Sequence, residues 1–255
     1  MSSAEPVEFV WTDLAATDSA RAVEFYTSLF GWRVESVKLA ENHHYLTFLR
    51  GDDPVCGVFQ MSPDQLALGG TSFWTSYLKV PDVDGVSAVA RMQGATVLVD
   101  PFDMGEKGRT AVLQDPGGAV FAIRDTFERG VKAPRGVGSI DRFELRALDP
   151  ASSSAFYRNL FQWDSRPLEN GASGSWAMSS KNERQTTVSP LTRHGDSTEA
   201  IPQWVFHVLT ESLEKTSTRA LELGAVRISS EQGATSLFLD PIGSLLGLAQ
   251  EDAPL

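Results

Sequence analysis

The chain carries few side chains of the kinds that attack substrates or coordinate metals: one cysteine and four histidines among 255 residues. Cys56 lies in the apolar run VCGVFQM. This setting favours a buried structural thiol, because a nucleophilic thiolate needs cationic, partly exposed surroundings. A single cysteine also cannot form an internal disulfide, which agrees with a cytoplasmic location.

Each of the four histidines has a different setting in the sequence. His43 and His44 are adjacent, so on a strand they point to opposite faces and cannot chelate one ion together. His194 lies in the polar segment TRHGDST. His207 is a lone histidine on a predicted strand, and is therefore either a packed, hydrogen-bonded core residue or a functional group facing a pocket.

These residues are positioned by a duplicated pattern. Residues 7–35 are echoed in register by residues 138–166. The matched segments include Asp18 with Asp149, LFGW with LFQW, WTSYLKV with WVFHVLT, and LQDPGGAVFAI with LDPIGSLLGLA. So many matches in one register indicate a duplication. We predict two domains, at 1–126 and 138–251, joined by the Gly/Pro/Arg/Lys-rich linker 126–138.

Each half divides again into two units with the same order of elements. In the first unit a strand, Glu8–Asp13, leads to a helix whose N-cap is Thr17 or Asp18 and which stops at Gly31. Three strands follow, at Trp32–Leu39, His44–Arg50 and Val55–Met61. The second unit has the strand Ser72–Val80, the helix Val83–Gln93 and the strands Thr96–Val99, Thr110–Gln114 and Ala119–Arg124. The order β-α-β-β-β thus occurs four times, which predicts an α+β fold whose helices cover sheets.

Four motifs, in this order, resemble those of the vicinal oxygen chelate superfamily of glyoxalases, bleomycin-resistance proteins and extradiol dioxygenases. They are the helix D-x-x-x-A-x-x-FY-x-x-LFGW at Asp18–Trp32, the helix start V-x-D-V-D at Val80–Asp84, the glycine–arginine pair Gly108–Arg109, and the hairpin DPGGA-x-F at Asp115–Phe121. The chain looks most like tandem glyoxalase-like bacterial proteins. The resemblance implies four βαβββ units forming two glyoxalase/bleomycin-resistance-type domains, each with a cup-shaped sheet that holds a small ligand.

In metalloenzymes of this superfamily, three ligands in the cup hold a metal. The resemblance places the first ligand position at Trp11 and Arg142, the second at Thr75 and Val205, and the third at Ala122 and Gly247. None of these side chains suits a divalent metal. We therefore expect no metal and no other cofactor.

If Trp11 and Arg142 face into the cups, alternation along the strands brings further side chains to the same faces. The first cup would hold Trp11, Asp13, Thr75, Tyr77 and Arg124, and the second Arg142, Glu144, Val205 and His207. The catalytic candidates are Asp13, Glu144 and His207, because a carboxylate in an apolar pocket can act as an acid or base. Alternatively, Glu144 pairs with Arg142 or caps backbone groups, and Asp13 does likewise. The other members are ligand-binding candidates, and the Trp11 indole suits stacking on an aromatic or sugar-bearing ligand.

Four functions remain open from the sequence. The first is a metal-free protein that binds a small, largely apolar or aromatic metabolite of antibiotic or natural-product type. The second is a metal-independent enzyme that moves a proton on such a substrate through Asp13, or through Glu144 with His207. The third is a metalloenzyme of glyoxalase or dioxygenase type with other ligands, and the fourth is a structural role without a ligand.

Charge and composition exclude other partners. The net charge of −11 argues against binding to nucleic acid or to an anionic membrane, both of which need a basic surface. No segment approaches the roughly 20 apolar residues that span a bilayer, and the N-terminal MSSAEPVEF lacks the features of a secretory signal. We expect a cytoplasmic protein with a small-molecule ligand, either monomeric because one chain supplies all four units or dimeric through exposed edge strands.

Overall fold

The structure, a computed structural model, describes residues 6–40, 43–105, 108–126, 135–169, 174–179, 185–191, 201–228 and 234–250. His194 lies outside these residues. None of the helices they form is long and apolar enough to cross a membrane.

The first half begins with a strand, a helix and three strands: β1 Glu8–Ala16, α1 Ser19–Phe30, β2 Arg33–Ala40, β3 His43–Arg50 and β4 Asp53–Gln60. A short helix, α2 Pro63–Ala67, leads to the second unit. This unit contains β5 Phe73–Lys79, α3 Val83–Met92, β6 Thr96–Asp103, β7 Arg109–Gln114 and β8 Val120–Arg124.

The second half repeats this order of strands and longer helices. Its first unit contains β9 Ile140–Ala147, α4 Pro150–Phe161, β10 Asp164–Pro167, β11 Trp176–Ser179 and β12 Gln185–Pro190. Its second unit contains β13 Gln203–Thr210, α5 Leu213–Glu222, β14 Val226–Arg227, β15 Thr235–Leu239 and β16 Leu245–Gln250.

The strands form two eight-stranded mixed sheets with one topology. The orders are β2-β3-β4-β1-β5-β8-β7-β6 and β10-β11-β12-β9-β13-β16-β15-β14. Neither sheet closes on itself, as expected for cup-shaped sheets. The predicted fold class, α+β with four βαβββ units in two such domains, is confirmed.

Helix ends follow local signals in the sequence. Asp18 is the N-cap of α1 and accepts a hydrogen bond from the backbone N–H of Arg21 at 3.0 Å. The chain leaves α1 at Gly31 with φ of 68°, a conformation that glycine adopts without strain. At the matching position after α4, Gln162 has φ of 56°, which costs a residue with a Cβ about 1 kcal/mol.

Helix α2 is absent from the predicted order of elements. The Ser62 side chain accepts from the N–H of Gln65 at 3.2 Å, while the Gln65 side chain accepts from the N–H of Ser62 at 2.9 Å. This capping box, with Pro63 in the first turn, starts the helix. None of its five residues is buried, so no apolar periodicity marks it.

The chain forms two compact units that do not coincide with its sequence halves. One contains residues 1–10, 76–130 and 142–205, and the other contains residues 11–75, 131–141 and 206–255. Each compact unit therefore includes segments from both halves of the duplication.

Within each compact unit, a hydrogen bond joins two motif residues of the repeat. In one unit, Tyr26 of α1 donates to Oδ2 of Asp240 at 2.8 Å. In the other, Tyr157 of α4 donates to Oδ2 of Asp115 at 3.0 Å. Burial raises the pKa of both aspartates, although their hydrogen bonds oppose the rise. The FY and DP motifs thus have a structural role, since each bond joins residues from different halves of the sequence.

Candidate functional site

The helix covering one side of β1 identifies the other side as the inner one. Tyr26 of α1 packs against Phe48 of β3, with ring centroids 5.6 Å apart. Phe48 is paired with Cys56 on β4, so the next residue, Gly57, lies on the side away from α1. Gly57 is the register partner of Asp13 on β1. Asp13 therefore lies on the side of β1, β3 and β4 that faces away from α1, which we call the inner face.

Three side chains form a hydrogen-bonded group on this inner face. The indole N–H of Trp11 donates to Oδ1 of Asp13 at 2.6 Å and lies 2.7 Å from the hydroxyl oxygen of Tyr45. The Tyr45 hydroxyl donates to the same oxygen of Asp13. Trp11 and Asp13 are 9% and 8% exposed, whereas Tyr45 is half-buried. We call this group the Trp11–Asp13–Tyr45 cluster; it combines two aromatic rings with one carboxylate.

Gly57 gives the cluster its space. A Cβ atom at this position would overlap both the Tyr45 hydroxyl and the Asp13 carboxylate. The two side chains approach each other above a backbone that has no side chain of its own. Any larger residue on β4 would push the hydroxyl and the carboxylate apart.

The side of β13 and β16 that faces away from the helices is filled by protein side chains. Phe206 packs against Trp74, with centroids 4.6 Å apart, so the next residue, His207, points to the other side of β13. His207 is the register partner of Gly247, and a Cβ atom at Gly247 would overlap the imidazole ring. His207 is 1% exposed and Leu237, on β15, is 4% exposed. This histidine is thus a packed residue, whatever chemistry it also supports.

Glu144 lies in a nearly buried ion pair in the other compact unit. Its Oε1 is 3.1 Å from Nη1 of Arg146, and the two side chains are 11% and 12% exposed. Arg142, two residues earlier on β9, is 8% exposed. This ion pair joins Glu144 to Arg146, and the predicted pairing of Glu144 with Arg142 or with backbone groups stays a prediction. The predicted pairing of Glu144 with His207 joins residues of different compact units and stays a prediction.

Tyr77 and Arg124 come together on β5 and β8. The Arg124 guanidinium lies over the Tyr77 ring, 5.2 Å from its centroid, and its Nη2 is 3.2 Å from the sulfur of Met104. Both residues are half-buried. Phe121 packs against Tyr157 of α4, so Ala122 and Arg124 lie on the side of β8 away from that helix. A cation beside an aromatic ring could orient an aromatic ligand.

The last two predicted ligand-binding residues are Thr75 and Val205. Thr75 is half-buried, and its backbone carbonyl accepts a hydrogen bond from the Thr12 hydroxyl at 3.1 Å. Val205 is 1% exposed, so its side chain belongs to the packed interior.

Cys56 and His44 have structural surroundings. The Cys56 thiol is buried, and burial together with the nearby Asp13 charge raises its pKa well above the usual range. The thiol is therefore protonated and unreactive at neutral pH. His44 is exposed, and its Nδ1 lies 3.1 Å from the Ser36 hydroxyl.

The residues that the resemblance aligns with the superfamily's metal-ligand positions do not fit a divalent metal. Trp11 offers an N–H donor that is already directed at Asp13, and an indole nitrogen has no lone pair for a metal. Ala122 and Gly247, at the third position, have no donor atoms in their side chains. Within the described part of the chain, no three His, Cys, Asp or Glu side chains are grouped as a metal site.

Sequence reasoning missed Tyr45, which completes the cluster. The structure brings it to Trp11 and Asp13 over a sequence separation of more than 30 residues. The available signals were a tyrosine within the predicted strand His44–Arg50 and a glycine in the next strand. Neither signal gives the register that places Tyr45 and Gly57 beside Asp13.

Family models match both halves of the chain. Residues 8–123 match the glyoxalase/bleomycin resistance protein/dioxygenase superfamily, and residues 142–249 match a glyoxalase-like domain. The anthracycline biosynthesis protein DauV from a Streptomyces species is 27% identical over 92% of this chain and 90% of its own length. A putative glyoxylase, CFP32 of Mycobacterium tuberculosis, is 31% identical over 58% of this chain and 57% of its own.

Solved structures share the fold. A triple mutant of 4-hydroxymandelate synthase from Streptomyces coelicolor aligns over 98% of this chain and 94% of its own, with a TM-score of 0.62 and 13% identity. At this identity the likeness concerns the fold alone. Together with the two family matches and the repeated sheet topology, it leads to one conclusion: the chain belongs to the glyoxalase/bleomycin resistance protein/dioxygenase superfamily and carries two such domains in tandem.

Proposed function

We propose that this protein binds a small, largely apolar aromatic metabolite of natural-product type, without a metal, beside the Trp11–Asp13–Tyr45 cluster. One observation carries the proposal: an indole is hydrogen-bonded to a carboxylate. The sequence resemblance aligns this indole with the first metal ligand of the superfamily's metalloenzymes. An aromatic ring with a polar partner suits recognition of another aromatic ring. It does not suit coordination of an ion.

The surroundings of the cluster favour an apolar ligand. Ala15 lies on the same face of β1 as Asp13, by period-two alternation, and is buried. A ligand with a charged centre would have to lose its hydration here, at high cost. An uncharged aromatic ring gains free energy from the same burial.

The inner face in the first unit of the first half is more accessible than the equivalent face in the second unit of the second half. Thr47 and Phe59 lie near the cluster on this face and are half-buried. His207, Leu237 and Ala249, on the equivalent face of β13, β15 and β16, are almost fully buried. At the point of the second half that matches the cluster, the carboxylate of Glu144 is paired with Arg146. We therefore expect one ligand site per chain, in the first domain.

The names of the relatives agree with a natural-product ligand. DauV and DnrV, from two Streptomyces strains, are each called anthracycline biosynthesis proteins and match 92% of this chain. Anthracyclines carry an anthraquinone, a planar polycyclic aromatic group. An anthraquinone is therefore a suitable probe for this protein.

A second candidate function is metal-independent acid–base catalysis. It is favoured by the hydrogen bond from Tyr45 to Asp13, in which a carboxylate already receives a phenolic hydrogen. A substrate hydroxyl at the same place could give its proton to Asp13. Turnover of a bound compound, detected by mass spectrometry, would distinguish this function from binding alone.

The experiment for the first proposal is a calorimetric titration with a hydroxyanthraquinone whose hydroxyl lies away from the ring carbonyls. We expect saturable binding with one site per chain, unchanged by a strong chelator. Native mass spectrometry of the purified protein should reveal any co-purified aromatic compound. Absence of binding, two equal sites, or a stoichiometric divalent metal after dialysis would contradict the proposal.

A further inference from the structure

A row of side chains runs across strands β2, β3 and β4 on the inner face. Val37 of β2 is the register partner of Tyr45 on β3, and Tyr45 is the register partner of Phe59 on β4. Side chains directly opposite each other on paired strands project from the same side of a sheet. Tyr45 belongs to the inner face, since its hydroxyl contacts Asp13. Val37 and Phe59 therefore lie on this face as well, and we call the three residues the Val37–Tyr45–Phe59 row.

A hydroxyl group lies beside this row. Thr47 is two residues after Tyr45 on β3, so it also belongs to the inner face. It is the register partner of Gly57, which is in turn paired with Asp13. Thr47 is half-buried, and its hydroxyl makes no hydrogen bond to another of the described residues. A threonine hydroxyl can both donate and accept a hydrogen bond, so Thr47 can bind an oxygen of a ligand.

We infer that the ligand lies across the strands along the Val37–Tyr45–Phe59 row and that the Thr47 hydroxyl binds a polar atom on its edge. The inference rests on the proposed function and adds the shape of the ligand. The ligand is an elongated aromatic compound of fused rings, with an oxygen atom on one long edge.

The length and exposure of the row support this shape. Two strand spacings separate Val37 from Phe59, or about 10 Å along the sheet, which is close to the length of three linearly fused rings. Val37 is 54% exposed and Phe59 is half-buried. A planar ligand of this length would remove apolar surface from water at both ends of the row. A single ring would cover only part of it.

The row is also continuous with the proposed site. Tyr45 belongs both to the row and to the Trp11–Asp13–Tyr45 cluster, so rings that lie on the row contact the cluster. The other possible occupant is a second copy of the chain, because β2 is an edge strand of its sheet. Strand pairing at this edge would leave Phe59 uncovered, since Phe59 lies two strands further in. The row therefore fits a ligand better than an added strand.

Two variants test the two contacts. Val37→Ser removes apolar surface from the outer end of the row and should weaken binding of the hydroxyanthraquinone about 3- to 10-fold. Thr47→Val keeps the shape of the side chain and removes its hydroxyl, which should weaken binding about 2- to 12-fold. Thr47→Ser keeps the hydroxyl and should retain most of the affinity.

The chain offers a matched control for each variant. Val226→Ser makes the same change at a valine that is 59% exposed on β14, an edge strand of the second sheet. Thr96→Val removes a hydroxyl from an exposed threonine of β6. Both controls should bind the probe like the native protein. Urea unfolding confirms that each variant is folded before its affinity is compared.

The measurement is the dissociation constant of the hydroxyanthraquinone for each protein, from calorimetry, together with its molecular mass from analytical ultracentrifugation. Native affinity in Val37→Ser or Thr47→Val overturns the inference, and so does an equal loss in Thr47→Ser or in the controls. A native dimer that Val37→Ser dissociates, with unchanged affinity, would show that the row binds a second copy. If Trp11→Ala alone weakens binding, the proposed function stands without this inference. If the native protein does not bind the probe, both fail.

Discussion

The two halves of the chain place a carboxylate at the same point of the repeat and surround it differently. Asp13 on β1 is paired with Gly57 of β4, and Glu144 on β9 is paired with Thr187 of β12. Asp13 accepts hydrogen bonds from the neutral groups of Trp11 and Tyr45, whereas Glu144 is paired with the cationic Arg146. The same strand pairing thus holds one carboxylate beside neutral hydrogen-bond donors and the other beside a cation.

The difference teaches how a duplicated fold can divide its roles. In the first half, the side of β3 and β4 next to Asp13 includes half-buried Thr47 and Phe59. In the second half, the matching side of β12 has half-buried Thr187 and Ser189, but the carboxylate beside them, Glu144, is paired with Arg146. We expect the first half to bind the ligand and the second to contribute mainly stability.

The largest effect is expected from Trp11→Ala. Truncating a buried tryptophan should cost about 3–5 kcal/mol of unfolding free energy through the cavity. Loss of aromatic contact should weaken hydroxyanthraquinone binding about 5- to 150-fold. Chemical denaturation and calorimetry measure the two effects separately.

Trp11→Phe is the companion variant, because it keeps a ring and removes the indole N–H. It should retain more of the stability and of the affinity than Trp11→Ala. A well-folded Trp11→Ala protein that binds the probe like the native one would move the site to the second half, around Glu144 and His207.

The second comparison sets Arg146→Met against Tyr45→Phe. Removing Arg146 takes away a cation that is paired with a nearly buried carboxylate, and should lower the unfolding free energy by about 3 kcal/mol. Removing the Tyr45 hydroxyl takes away one neutral donor and should cost about 1 kcal/mol. Urea unfolding of both variants tests this order; equal losses would show that the two carboxylates are held equally strongly.

The third comparison concerns Gly57→Ala and Gly247→Ala. At Gly247 the added methyl meets the ring of His207, which is fully enclosed, so overpacking should cost about 1–3 kcal/mol. At Gly57 it meets Oδ1 of the buried Asp13 and the end of the Tyr45 side chain, and the half-exposed Tyr45 can move aside. We expect a smaller loss of stability there, together with weaker binding of the probe. A larger loss of stability for Gly57→Ala than for Gly247→Ala would contradict this expectation.

The smallest effect is expected in the pH dependence of the two Tyr–Asp hydrogen bonds. Burial raises the folded-state pKa of Asp115 and Asp240 above the unfolded value, which is about 3.9. Such groups stabilise the fold fully below the unfolded pKa, and this contribution is lost as pH rises through the folded pKa.

The test compares the native protein with the Asp115→Asn, Asp240→Asn double variant. The difference in unfolding free energy should be largest near about pH 4 and should shrink toward about pH 7, since only the native protein gains from protonation there. Urea unfolding across this range measures it. A difference that grows with pH would mean that the aspartates are stabilised as anions.

Local signals in the sequence were enough for the order of the elements. Apolar spacing and a glycine at its end predicted α1, and Asp18 was one of two proposed N-caps. The two halves of the sequence match in a single register, which predicted two sheets with the same topology. These predictions succeeded because helix caps and hydrophobic periodicity depend on residues only a few positions apart.

Period-two alternation also put Trp11 and Asp13 on one face of β1, and the structure joins them by a hydrogen bond. The sequence motifs were less informative about chemistry. Asp84 and Arg109, both in motifs of the superfamily, form an ion pair with distances of 2.5 and 2.9 Å on the surface. Tyr26 and Asp240 form an interior hydrogen bond. Strongly marked positions were thus structural.

Only the tertiary structure brought Tyr45 to Asp13. Their meeting depends on the register of β3 and β4 and on the parallel pairing of β4 with β1. No spacing along the chain fixes these pairings, because they are selected by the packing of whole sheets under their helices. The missing Cβ of Gly57 matters only when two neighbouring strands bring a hydroxyl and a carboxylate above it. The sequence by itself therefore determined the fold and the inner face of β1, and the packing of distant strands decided which side chains meet there.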